Sequence, residues 1–470
     1  MATISRSRTG LTDLPVELIH HICSFLRPTC IRRQRPYRCL ECTNHRPGCV
    51  QWYNGQPSVS RLSRTCKRLQ HIVQPLVFLC YSGNARKQGS RLARLARTLI
   101  ERPDLAQCMR FLMVHDLEEL TPSDVQFTEE TITDRFGLPA PVRGWNNDGE
   151  GQYRLLSLEL VLPHTPNLEY LTLPLDYDWD MNVLFQLQKT GRFSLPKLLS
   201  LDVSHYYISG DRFDSSMDSI HTILDAAPNL EFLSLPSPNV ASSTAPLTQL
   251  RQLYLQSNNT IDPELLSDLL SSSPKLEFFA LHWDPLGDAY EYCDDRRVAD
   301  AWKALESRSE SLKGIRLDVR DDTEPGETER DSLKDFERLE VLKVSDHSLK
   351  PLRRAWERKN RHARVDSFLS GLFPPNIRQV TLWNLDGVEM KEAMRRFAKV
   401  VGVGRYPKLE SVVLAPIEKS DRMGFDEWPG SEKWNEIKGE LEEEFWKGGV
   451  RFEVRFDEVY WLFPWACAID

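Results

Sequence analysis

From residue 168 onward the chain repeats a six-residue pattern with apolar side chains at its first, fourth and sixth positions. The copies stand at 168–173, 198–203, 230–235, 250–255, 276–281, 312–317, 339–344, 377–382 and 409–414. Alternation of this kind suits a strand with one buried face. Successive copies start 20 to 38 residues apart, as stacked repeats do. In six of the nine a proline stands two residues before the first apolar position: Pro166, Pro196, Pro228, Pro274, Pro375 and Pro407. Proline cannot extend a helix and biases the residue before it to extended backbone, so it marks a helix-to-strand junction. Amphipathic stretches fill the gaps, such as Ile220, Ile223, Leu224 and Ala227, or Leu265, Leu266, Leu269 and Leu270 behind Asp262 and Pro263. Strand, turn and helix in repetition predict an α/β solenoid over 108–417, because no single unit can bury its apolar face alone. An ordinary α/β domain with leucine-rich strands is the alternative.

Flanking segments differ from the repeats. A linking helix is expected within 83–107, with Leu92, Leu95, Leu99 and Ile100 on one side, ending at Glu101-Arg102-Pro103. Met109 to Val114 reads as a first strand, and 121–152 as a long loop rich in Pro, Gly, Asp and Asn. Residues 418–470 read as a C-terminal cap. There Trp434, Ile437, Leu441 and Phe445 form a helical stripe, Gly448-Gly449 ends it, and Val450 to Phe456 alternate as a strand.

The first eighty residues hold two further apolar stripes. Leu18, Ile22, Phe25 and Leu26 follow Leu14-Pro15-Val16-Glu17, where Pro15 suits a first helical turn and Glu17 the positive end of the helix dipole. Leu62, Cys66, Leu69 and Val73 form the second stripe, which Pro75 is expected to break. Together these residues resemble an F-box, whose motif opens Leu-Pro-x-Glu-Leu and closes with a leucine, a small residue, Cys and two basic residues. The resemblance covers about forty residues within 10–82, with 27–59 as an insert where the family has a short linker. The repeats behind it resemble the irregular leucine-rich repeats that follow many F-boxes, although only 250–258 has the full Leu-x-x-Leu-x-Leu-x-x-Asn form.

The insert carries Cys30, Cys39, Cys42, His45 and Cys49. Cys39 and Cys42 have the Cys-x-x-Cys spacing that aims two thiolates at one ion, and two of the other three would complete a tetrahedral structural zinc site. The alternative is a reduced loop, since no second Cys-x-x-Cys pair accompanies the first.

Charge is uneven. Residues 27–100 hold fifteen Lys or Arg and one acid, whereas the whole chain has a net charge of −8, so 101–470 carry the acidic surplus. The arginines lack interleaved aromatics at stacking spacing, which argues against nucleic acid and for a partner-facing basic surface. With 41% hydrophobic and 27% charged residues, no apolar run long enough for a bilayer and no secretory signal core, the expected setting is cytosol or nucleus.

No phosphate loop, Gly-x-Ser-x-Gly or His-Glu-x-x-His is present, so an enzyme is not expected. The resemblance implies a substrate-recognition subunit of a cullin-RING (SCF-type) ubiquitin ligase. Leu14, Pro15, Glu17, Leu18, Ile22 and Leu26 would dock on its adaptor subunit. A concave, acidic repeat surface would hold the target protein, through a basic segment of that target. The alternative is a repeat scaffold whose N-terminal helices only cap the solenoid. Exposure separates the two, since docking needs an apolar face left over after packing.

Overall fold

A computed structural model describes residues 11–26, 58–83, 91–114, 121–139, 151–175, 182–205, 218–235, 247–257, 263–283, 297–319, 328–360, 367–383, 388–415 and 432–454. The fold is α/β. Among the described residues its strands form a twelve-stranded sheet in chain order, β1 to β12. The chain divides into two compact units, at Leu201 and Asp202.

The first unit contains helix α1 (Val16–Leu26), a helical stretch at 58–63, α2 (Lys67–Val77) and β1 (Cys80–Gly83). It continues through α3 (Arg91–Glu101), α4 (Pro103–Ala106), β2 (Phe111–Val114), α5 (Pro122–Phe136), α6 (Gly151–Val161), β3 (Tyr170–Leu175) and α7 (Asn182–Lys189) to the start of β4 (Ser200–His205). The β1–β2 and β2–β3 pairs are parallel.

Helix α5 lies where the sequence suggests a loop. Thr121 caps it by accepting from the Asp124 N–H, Pro122 opens it, and Gly137 closes it at φ 65°. Its buried face holds Thr128 and Thr131, whose hydroxyls each donate at 2.7 Å to a carbonyl one turn back. Arg97 holds one end through the Ser123 carbonyl at 3.1 Å and the Asp124 carboxylate at 3.4 Å. Arg192 holds the other by donating to the Phe136 and Arg135 carbonyls at 2.7 and 3.1 Å. Helix α7 is capped from a distance: the buried Glu159 carboxylate accepts from the Val183 and Leu184 N–H groups at 2.9 and 3.3 Å.

The second unit continues with α8 (Asp218–Ala226), β5 (Phe232–Leu235), β6 (Gln252–Ser257), α9 (Pro263–Ser271), β7 (Phe278–Trp283), α10 (Arg297–Glu306) and β8 (Gly314–Val319). After these come β9 (Val341–Ser345), α11 (Asp346–Lys359), α12 (Phe368–Leu372), β10 (Gln379–Trp383), α13 (Val388–Gly402), β11 (Ser411–Ala415), α14 (Glu432–Lys447) and β12 (Arg451–Val454). Neighbouring pairs from β5 to β12 are parallel.

Each of the nine repeated patterns enters a strand at its third residue. The first apolar residue lies before the strand and closes a tight turn: Leu168 donates to Thr165, Leu230 to Ala227 and Leu409 to Tyr406 at 3.1 to 3.3 Å. Where proline is present, it occupies the second position of that turn, which its fixed φ suits. First, fourth and sixth positions are at most 5% exposed in every copy. At ~1.5–3 kcal/mol per buried leucine, these positions supply much of the driving force for stacking.

The second position is charged in eight of nine copies. From Glu231 through Arg251, Glu277, Lys313, Glu340 and Arg378 to Glu410 the sign alternates strand by strand, each residue immediately preceding its strand. Lys313 meets Glu277 at 2.9 Å, and Arg378 meets Glu340 at 3.5 Å and Glu410 at 3.4 Å. The carbonyl at the same position accepts two N–H groups from the next strand, as Glu277 does from Lys313 and Gly314 at 2.7 and 3.0 Å. Backbone and side chains therefore fix one register.

At the C-terminal end Phe445 is fully buried between Phe397 and Phe452, at ring distances of 5.7 and 5.2 Å. Gly448 passes so close to Val401 that an added Cβ would lie 2.9 Å from its carbonyl oxygen. Gly449 turns the chain at φ 71°. Phe456 lies outside the described residues.

Candidate functional site: the N-terminal helix pair

Helix α1 starts at Val16, with Pro15 just before it accepting from the Ile19 N–H at 3.1 Å. Pro15 is thus the capping position rather than part of the first turn. Glu17 lies exposed in that turn. Cys66 caps α2, its Sγ accepting from the Leu69 N–H at 3.5 Å. Pro75 does not end α2, which runs on to Val77, with the Phe78 N–H donating to Gln74 at 3.3 Å. So near the end, a proline removes one hydrogen bond of the last turn. Arg68 ties the two helices by donating to the Leu14 carbonyl at 3.1 Å.

The pair has its own core. Ile19 and Cys23 of α1 pack with Val59, Leu69 and Val73, all at most 3% exposed, and Leu14, Leu26, Leu62, Cys66 and Leu76 lie around them half-buried. Sequence periodicity points to Leu18, Ile22, Phe25 and Leu26 as the stripe. The buried residues are instead Ile19 and Cys23, one residue along. The apolar arc of α1 is wide enough for both faces, and α2 covers one of them.

The other face remains open. Leu18 is 47% exposed and Phe25 is 64% exposed. Seven large apolar side chains are exposed among the described residues, and four of them (Leu11, Val16, Leu18 and Phe25) fall at 11–25. That clustering makes a patch rather than scattered surface leucines. Leu18 and Phe25 are seven residues apart, two helical turns, with Ile22 between them half-buried. His21 meets the Phe25 ring edge-on at 4.7 Å. Phe25 is an exposed residue of this face that the sequence reading places on the apolar stripe without naming it among the docking side chains. Beside α2 a cleft of about 580 Å³ is lined by polar groups that include Arg64, Lys67, Gln70 and Gln74.

Cys30, Cys39, Cys42, His45 and Cys49 lie outside the described residues. Among the described residues no three His, Cys, Asp or Glu side chains gather as a metal site, and no helix is long and apolar enough to cross a membrane.

The expectation of an acidic repeat surface needs correction for the strand face. Among the described strand residues of β4 to β11, side chains alternating away from the leucine core include Asp202 and Asp318, but also Arg316 and Lys343. The acidic surplus of 101–470 therefore sits elsewhere, as in α14 with its six glutamates. Burial pushes the Asp202 carboxyl up, against the pull of its hydrogen bond to Ser234.

No family model and no curated protein matches this chain.

Proposed function

We propose that the chain is a non-catalytic substrate-recognition subunit of a cullin-RING (SCF-type) ubiquitin ligase. In this reading the F-box-like α1 docks on the small adaptor subunit, and the leucine-rich-repeat-like strands hold a target protein. One observation carries it: α1 has two apolar faces, and packing against α2 uses only the Ile19–Cys23 face. A helix that merely capped the solenoid would have no use for Leu18 and Phe25 in water. Burying Leu18 against a partner is worth ~1.5–3 kcal/mol, and a central aromatic such as Phe25 more. The ligase mechanism is then proximity. The subunit makes no bond itself but holds a target lysine near the ubiquitin-charged enzyme that the complex supplies.

The test is a pull-down of the purified chain with the purified adaptor subunit, with and without a zinc chelator. Binding that Leu18→Asp abolishes supports the docking face. Loss on chelation would bring the Cys30–Cys49 segment into the docking module. Absence of binding under both conditions leaves a capped repeat scaffold.

A further inference from the structure

Helix α2 packs against α1 through Leu69 and Val73. A different face of α2 carries Lys67, Gln70, Gln74 and Val77, three or four residues apart and therefore in line along the helix. With Arg64 in the preceding turn and Phe78 just past the helix, they line the cleft of about 580 Å³. A volume of that order suits a short peptide. Arg64, Lys67 and Gln70 are exposed, and Gln74, Val77 and Phe78 are half-buried, so the lining is open to solvent. Among the described residues, no hydrogen bond or ion pair engages the side chains of Arg64, Lys67, Gln70 or Gln74. Exposed cations elsewhere meet acids, as Arg102 meets Asp104 at 2.7 Å and Arg395 meets Glu440 at 2.9 Å. Here no acid is at hand in the sequence, which holds no Asp or Glu from 42 to 100. The two cations stand at the positive end of the α2 dipole, and the two apolar side chains stand at the other end.

We propose that this cleft binds an extended acidic peptide segment of a partner protein, with a carboxylate at Arg64 and Lys67 and an apolar side chain at Val77 and Phe78. The amides of Gln70 and Gln74 lie between. Each offers both a donor and an acceptor, which matches the two polar groups of a peptide backbone. From Lys67 to Val77 is about 15 Å of helix, at ~1.5 Å per residue. Extended chain covers that distance in about four or five residues, at ~3.3 Å each. The ligand therefore carries its acid and its apolar residue four or five positions apart. A small anion such as phosphate would use only the charged end and leave Val77 and Phe78 unmatched. The site goes beyond adaptor docking through α1 and does not rest on it.

The test is fluorescence anisotropy of a labelled peptide, Glu-Glu-Ser-Gly-Ser-Leu-Leu, on the full chain. Two other peptides are controls: Gln-Gln-Ser-Gly-Ser-Leu-Leu lacks the charge, and Glu-Glu-Leu-Leu-Ser-Gly-Ser sets charge and apolar side chains together. The first peptide binds, and each control binds about tenfold more weakly. Arg64→Gln combined with Lys67→Gln weakens the first peptide about tenfold, as loss of two exposed ion pairs should. Gln70→Ala combined with Gln74→Ala weakens it about threefold. Arg91→Gln combined with Arg94→Gln removes the same charge elsewhere in the basic stretch and leaves binding unchanged. An equal loss with that pair would make the binding a general attraction to 27–100 and overturn the proposal. So would failure of the first peptide to bind, or equal binding of the two acidic peptides, since the cleft is then not read along its length. The melting temperature of the Arg64→Gln, Lys67→Gln variant stays within about 2 °C of wild type, because both side chains face water. If that variant does not fold, the three peptides on the wild-type chain decide. Leu18→Asp keeps peptide binding, so failure of this site and failure of the α1 docking reading are distinguishable.

Discussion

The indole N–H of Trp302 donates to the carbonyl oxygen of Ser348 at 2.8 Å, and Trp302 is wholly buried. One side chain thereby joins α10 to α11. The Ser348 hydroxyl in turn donates to the Leu317 carbonyl at 3.0 Å, tying α11 to β8. Trp302→Phe should cost about 1–3 kcal/mol, since the core loses one hydrogen bond and the volume of the indole's second ring. Trp302→Ala should cost about 3–5 kcal/mol. Urea unfolding followed by circular dichroism reads both.

The α1 docking reading makes a contrast between neighbouring residues. Leu18→Asp and Phe25→Asp should leave the melting temperature within about 2 °C of wild type, because both sites face water. Ile19→Asp should lower it and loosen the α1–α2 pair, since it buries an unpaired charge. Thermal melts run beside adaptor pull-downs check this. Equal destabilisation by Leu18→Asp and Ile19→Asp would refute an open docking face.

The carboxylate cap on α7 should be replaceable in part. Glu159→Gln keeps an acceptor for the Val183 and Leu184 N–H groups and should cost about 1 kcal/mol, from lost charge at the helix N-terminus. Glu159→Leu leaves both donors buried and should cost about 2–3 kcal/mol or more. Denaturant melts of the two variants should rank in that order.

Tyr406 gives an alkaline signature. Its hydroxyl donates to the Ser370 carbonyl at 2.8 Å, and burial pushes the phenol up to about 12. In an unfolded chain tyrosine ionises near ~10. The folded value is the higher one, so the stability that Tyr406 contributes is whole below about 10 and is lost as pH rises toward 12. Tyr406→Phe should therefore be less stable than wild type at pH 8, with the gap narrowing above pH 10. Melting both proteins across that range measures it.

The charged row before the strands should act through sign rather than through any single pair. Arg378→Ala should cost under about 1 kcal/mol, as partly exposed bridges do. Arg378→Glu sets three acids side by side with Glu340 and Glu410, and should cost about twice as much and recover with added salt.

The strands were legible in the sequence because their apolar positions face a continuous core, and hydrophobicity reports such burial directly. Three strands lie outside the nine copies: β2 and β12 could be read from short apolar or alternating runs, while β1, with Cys80, Tyr81, Ser82 and Gly83, has no apolar pattern to find. Helix α5 was hidden because three of its five buried residues, Asp124, Thr128 and Thr131, are polar, and their polarity is satisfied inside the helix and by Arg97. Its ends were written plainly all the same, in Thr121-Pro122 and Gly137. In α1 the periodicity located the apolar arc, but which half faces α2 depends on residues such as Leu69 and Val73, far along the chain. Arg316 opposite Lys343 could not be read either, because register across parallel strands is set by loops of unequal length.

The charged row also gives the repeats a parity. Between Glu231 and Glu410 each unit stands beside one of opposite sign, so deleting or duplicating a single unit would set two like charges against each other in the same turn. Removing or adding two together would restore the alternation. A lineage of such chains should lengthen and shorten in pairs.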